Sequence, residues 1–159
     1  CDFIIWCTAE DVSCPCGNDL IGSGCANSTG TGATLSVTSG SNSVLADDLV
    51  LTTTGLPPNE LALGLAAVGT GAVSFGNGVL CVASGTLKIF RFPIANSGAA
   101  GELTYGPGIV NISQTVFTQP VGIIDPGETY HFQTWYRDPG GPCGAKFNTS
   151  NAVTVNFQL

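Results

Sequence analysis

The sequence predicts an all-β domain: an antiparallel β-sandwich of immunoglobulin-like or jelly-roll-like type with a disulfide-stapled N-terminal segment. Three observations carry this expectation. Apolar and polar residues alternate with period two in several runs, and no long window shows a competing helical period. Turn signals rich in Gly, Pro and Asn separate those runs at regular intervals. Five of the 7 cysteines fall within the first 25 residues, which sets a stapled start apart from a cysteine-poor body.

The expected organisation is a cysteine-rich segment over 1–30 and a sandwich domain over 31–159. Phe3, Ile4, Ile5 and Trp6 make an extended apolar run. It reads either as the first strand of its own sandwich or as a strand donated to a neighbouring subunit by strand exchange. The small residues of 26–32 read as a linker. Strands are expected over 33–38 and over 48–54, where Leu49 and Leu51 share a face. Gly55-Leu56-Pro57-Pro58-Asn59 is a turn, since two prolines forbid a continuing ladder. Strands follow over 61–68, then 79–83 after a tight Gly76-Asn77-Gly78 turn, 86–92, 101–105, 114–118, 129–137 and 152–158. In the 129–137 run Tyr130, Phe132, Thr134 and Tyr136 share one face, and His131, Gln133, Trp135 and Arg137 the other. Val153, Val155 and Phe157 alternate with Thr154, Asn156 and Gln158. Helix is expected only in the cysteine-rich start or near 58–65.

A chain of 159 residues buries a real core in one domain. Only 9% of residues are charged, 4 basic and 11 acidic, giving a net charge of −7. That is far below the typical quarter, so solubility rests on Gly, Ser, Thr and Asn. Four cations exclude a basic nucleic-acid footprint. The 43% hydrophobic content without charge blocks excludes disorder. No run reaches the roughly 18 apolar residues of a membrane helix, and 61–73 is broken by Gly64, Gly69 and Gly71. A surface this poor in charge lacks the repulsion that keeps monomers apart, which points to identical subunits as partners.

Methionine is absent even from position 1, so the chain is expected to be a processed product with its secretory signal removed. The cysteines point to the same extracellular or cell-surface location. They are Cys1, Cys7, Cys14, Cys16, Cys25, Cys81 and Cys143. A metal cluster fails on ligand supply: there is 1 His, no CxxC pair and no Met, so disulfides are expected and no metal or cofactor. Cys14 and Cys16 are expected to bond to different partners, because a bridge across one residue is strained. The odd count leaves three readings of Cys1: a lipid anchor, a bridge to a neighbouring chain, or an internal bond that leaves another cysteine free.

From Thr129 the chain reads TYHFQTWYRDPGGPCGAKFNTSNAVTVNF. This resembles the C-terminal ending of a secreted β-rich domain that recurs in large surface and extracellular proteins of planctomycetes and myxobacteria. Asp48-Leu49-Val50-Leu51-Thr52, Gly55-Leu56-Pro57-Pro58-Asn59 and Phe75-Gly76-Asn77-Gly78-Val79-Leu80-Cys81-Val82 fit the same domain in order, so the resemblance covers about 46–159. It implies a β-rich secreted fold and a Cys81–Cys143 disulfide, and it names no activity. If Cys7, Cys14, Cys16 and Cys25 staple the start among themselves, the same two cysteines remain for each other.

Candidate chemistry is thin. His131 is the only histidine and would need Asp125, Glu128 or Asp138 to orient it, yet it lies mid-strand and no G-x-S-x-G elbow exists. Asp125-Pro126-Gly127-Glu128 offers two carboxylates but reads as a β-turn. Asp47, Asp48 and Asp138 would suit calcium only at converging loop ends, and no D-x-D-x-D-G pattern supports it. Trp135, Tyr136, Tyr105 and Trp6 read either as core or as a sugar-stacking platform. Asn27, Asn111 and Asn148 head glycosylation sequons. The leading expectation is a non-enzymatic secreted structural subunit of an extracellular filament, sheath or surface layer. Assembly would run through Cys1, Phe3, Ile4, Ile5 and Trp6. The alternative is an extracellular polysaccharide-binding module released from a larger secreted protein.

Overall fold

The strongest alternation in the sequence becomes the middle of the largest sheet. A computed structural model describes residues 3–82, 88–117 and 120–159. In chain order its elements are β1 (Phe3–Trp6), β2 (Thr34–Ser39), β3 (Val50–Thr54), β4 (Leu61–Ala67), β5 (Thr70–Phe75), β6 (Gly78–Val82), β7 (Phe90–Arg91) and β8 (Ala95–Asn96). They continue with β9 (Leu103–Tyr105), α1 (Ile109–Thr115), β10 (Thr129–Arg137) and β11 (Phe147–Asn156). A six-stranded sheet runs β1-β11-β10-β4-β7, with β8 also on β4, beside a three-stranded sheet β2-β3-β9 and a hairpin β5-β6. All of these pairings are antiparallel.

The period of two decides the layers. On one face of the large sheet Tyr130, Phe132, Val153, Val155, Ala66 and Phe90 pack against Leu35, Leu49 and Leu51 of the region around the small sheet and against Ile109 and Val110 of α1. On the other face Leu65, Ala67 and Ala152 meet Val79, Cys81 and Val82 of the hairpin, together with Cys7, Cys14 and Cys25. The sandwich therefore carries a second cover on its back. That explains β11, which is buried at every position from Asn148 to Val155 although five of these eight residues are polar.

Three disulfides, Cys7–Cys81, Cys14–Cys25 and Cys16–Cys143, hold this cover down. The Cys81–Cys143 pair implied by the resemblance is not formed. Cys81 points from β6 into the back core and is fully buried, whereas Cys143 lies exposed on the turn between β10 and β11. Nor is the N-terminal segment stapled to itself: only Cys14–Cys25 is internal, and the other two bonds cross into the body. Cys14 and Cys16 do take different partners. Closing loops with sequence separations of 74 and 127 stabilises by about 4–5 kcal/mol each in the chain-entropy model. Cys1 lies outside the described residues.

Other expectations are corrected. The stretch 26–32 is no linker: Ala26 bridges Gly32, and buried Asn27 donates to the Gly55 carbonyl at 2.8 Å. The helix is α1, ending inside the expected 114–118 strand; residues 118–119 lie outside the described set. Its β-branched residues are poor helix formers, and tertiary contacts override them. Ile109, Val110 and Ser113 face the core, while the Asp47 carboxylate accepts the N–H groups of Val110 and Asn111 at 2.7 and 3.0 Å. Of the expected 86–92 strand the structure describes β7 alone as strand, and 83–87 lie outside the described residues. Strand β5 was not expected, because Thr70-Gly71-Ala72-Val73-Ser74-Phe75 offers little alternation.

Candidate functional site

The polar groups weighed as catalytic or metal-binding are spread apart and engaged. Asp47 caps α1, Asp48 accepts the N–H and hydroxyl of Ser41, each at 2.8 Å, and buried Asp138 accepts the N–H of Ser28 at 3.1 Å. Those contacts from Ser41 hold the Asp48 carboxyl below the usual carboxylate range. Among the described residues no three His, Cys, Asp or Glu side chains group as metal ligands. His131 lies half-buried with its Nδ1 2.7 Å from the Thr154 hydroxyl and its ring edge-on to Trp6 at 5.8 Å. Burial pushes its pKa down. Asp125 and Glu128 close a turn, the Asp125 N–H donating to Glu128 Oε2 at 3.0 Å.

The four aromatics do not form a platform. Tyr136 is buried beneath Asn27, whose amide donates to its hydroxyl at 3.3 Å. Tyr105 packs against Phe92 with the rings tilted and 4.6 Å apart in the front layer, where a side chain on Gly64 would collide with both rings. Trp6 sits at the back edge against His131. Of the four, Trp135 is the one that lines the larger groove on the back of the sheet. Two of the three sequons are also closed to modification in the fold, since Asn27 and Asn148 are buried; Asn111 is exposed on α1.

Two surface features remain. The first is a groove of about 260 Å³ on the back of the large sheet. It is lined by Leu63 and Leu65 of β4, Trp135 of β10, Phe75, Leu80 and Ile89, with the exposed Arg91 of β7 at its rim. The rings of Phe75 and Trp135 are both braced by Phe147, at 4.9 and 6.1 Å. Of these, only Trp135 was singled out from the sequence. Phe75 directly before the Gly76-Asn77-Gly78 turn, and Arg91 as one of 4 cations, were the available signals.

The second is the edge of β1. Phe3, Ile4, Ile5 and Trp6 pair with Val155, Thr154, Val153 and Ala152 of their own β11, so the segment is a strand of its own sheet. Among the described residues the other side of β1 has no strand partner. Phe3 and Trp6 pack inward, while Ile4 and Ile5 are 53% and 57% exposed. No charge, proline or bulge guards this strand, which are the usual protections of a sheet edge.

No helix among the described residues is long and apolar enough to cross a membrane. No protein-family model matches the chain, and no curated protein is significantly similar to it. A solved structure of a tetra-tandem repeat in the extending region of a large adhesion protein is similar over 76% of this chain and 23% of that one, with 14% identity and a TM-score of 0.38. The chain thus spans less than a quarter of that neighbour's length.

Proposed function

We propose that the protein is a non-enzymatic extracellular structural module that associates with identical copies through the open edge of β1, as a building unit of a filament, sheath or surface layer. The observation that carries this reading is the unguarded edge itself, with Ile4 and Ile5 facing solvent on a chain of only 4 cations and 11 anions. Three disulfides suit an oxidising compartment outside the cell.

The geometry favours edge pairing over strand exchange. Cys7 follows Trp6 directly and is bonded to Cys81 of β6, so β1 is pinned to the hairpin of its own chain one residue from its end. An exchanged strand would have no hinge length in which to turn. A β1–β1 contact is self-complementary and builds a pair; a layer requires a second contact elsewhere.

Sedimentation velocity and electron microscopy of the oxidised chain test the proposal. Association that is abolished by Ile4→Lys with Ile5→Lys, while the amide spectrum stays native, supports it. A monomer at all accessible concentrations that never forms ordered assemblies overturns it.

A further inference from the structure

The groove on the back of the large sheet has a chemistry that the structural role does not use. Its lining is otherwise aliphatic and aromatic, and Arg91 is its single polar lining residue. Among the described residues the guanidinium of Arg91 makes no ion pair and no hydrogen bond. On a molecule of net charge −7, an unpaired cation beside an apolar depression is a local exception to the prevailing field. Burying apolar ligand surface there is favourable, and the guanidinium offers a planar pair of donors suited to a carboxylate.

We infer that this groove binds a small amphipathic monocarboxylate, its chain or ring lying between Trp135 and Leu80 and its carboxylate meeting Arg91. A saccharide fits poorly, since the lining offers one polar side chain where a sugar presents hydroxyls around its whole ring. The volume sets the size. About 260 Å³ lies just under the ~300–1,000 Å³ of most small-molecule sites. At a liquid-like filling of about 30 Å³ per heavy atom it takes roughly eight to nine of them. Octanoate, whose eight carbons fill the groove while its carboxylate stays at the rim on exposed Arg91, is therefore the probe of choice. The Phe147 brace behind Phe75 and Trp135 keeps both rings in place without a ligand, so the site is pre-formed.

Titration of the full oxidised chain with octanoate, 1-octanol and a neutral glucan oligosaccharide, followed by the two tryptophan indole N–H resonances, tests this site. Octanoate is expected to shift Trp135 saturably and leave Trp6 unmoved, and 1-octanol to bind about tenfold or more weakly. Arg91→Gln is expected to reduce octanoate affinity about tenfold and leave octanol unchanged, and Arg91→Lys to retain most of it. Arg91 is exposed on a short edge strand, so the variants keep the native amide spectrum. No saturable shift at Trp135, an octanoate affinity indifferent to Arg91→Gln, or a shift produced by the glucan alone would overturn the inference. None of these outcomes bears on β1, so the two proposals fail separately.

Discussion

The side-chain carbonyl of Gln133 accepts the backbone N–H of Cys81 at 2.9 Å. The same oxygen also takes the N–H of Val82 at 3.3 Å, and the amide nitrogen donates to the carbonyls of Val79 and Ser150 at 2.9 and 2.7 Å. One buried amide thus replaces a strand ladder between the hairpin and the large sheet. Asn151 does the same toward the small sheet, accepting the Leu35 N–H at 2.7 Å and donating to the Leu35 carbonyl at 3.0 Å. Neutral polar residues here are internal cross-links as much as surface.

Gln133→Leu keeps the volume and removes every one of these bonds. The N–H groups of Cys81 and Val82 and the carbonyl of Ser150 lose this buried partner, while the Val79 carbonyl keeps the Thr149 hydroxyl at 2.8 Å, so the variant is expected to lose about 2–4 kcal/mol of unfolding free energy. Urea denaturation measures it. A loss under about 0.5 kcal/mol would mean that apolar packing and the disulfide hold the hairpin without help from this amide.

The three disulfides differ in exposure. Cys7 and Cys81 are 2% and 0% exposed, while Cys143 is on the surface. Mild reductant is expected to open Cys16–Cys143 first and to leave Cys7–Cys81 closed until the chain unfolds. Timed alkylation with non-reducing peptide mapping reads the order. The same map checks the pairing, and a Cys81–Cys143 peptide would contradict this structure.

Trp6 Nε1 is buried with no hydrogen-bond partner among the described residues. Trp6→Phe relieves that desolvation cost while giving up part of the ring contact, so the two changes offset. Stability is expected to stay within about 1 kcal/mol of native, against the roughly 3–5 kcal/mol of a truncation to Ala. Thermal unfolding of both variants compares them.

Stability should fall at both ends of the pH scale. Burial lowers the folded pKa of His131 below 6.5, so the unfolded chain binds its proton first and stability drops as pH falls below about 6.5. Asp48, held low by Ser41, adds stability above its unfolded value that is lost as pH falls through the lowered one. Tyr130 is pushed up to about 12 by burial, with Glu128 and Asp125 adding to it. The unfolded phenol ionises near 10, so stability is lost as pH rises beyond that value. Urea midpoints against pH test this, and His131→Gln is expected to flatten the slope just below pH 6.5.

Residues Thr129 to Phe157 show what could be read directly. Their alternation placed Tyr130, Phe132 and Tyr136 on one face, and in β10 all three are buried. Leu49 and Leu51 likewise lie in the core, and strands stand where 33–38, 48–54, 61–68 and 101–105 predicted them. Alternation reports a strand because side-chain direction has period two regardless of the partner.

What the sequence by itself determined is therefore an all-β chain with disulfides, its main strands, and which of their residues share a face. Only the tertiary structure decided which cysteines meet, that Ile109–Thr115 coils under the cap of Asp47, that β1 lies on its own β11, and that Arg91 and Trp135 border one groove. These facts depend on contacts between residues far apart in the chain, and no local propensity records which distant backbone a Cys, an Asp or a Gln side chain will reach. The asparagines and Gln133 make the point most plainly. Their composition looked like a neutral surface, and the fold spends many of them inside, where an amide satisfies the backbone that a strand would otherwise have to pair.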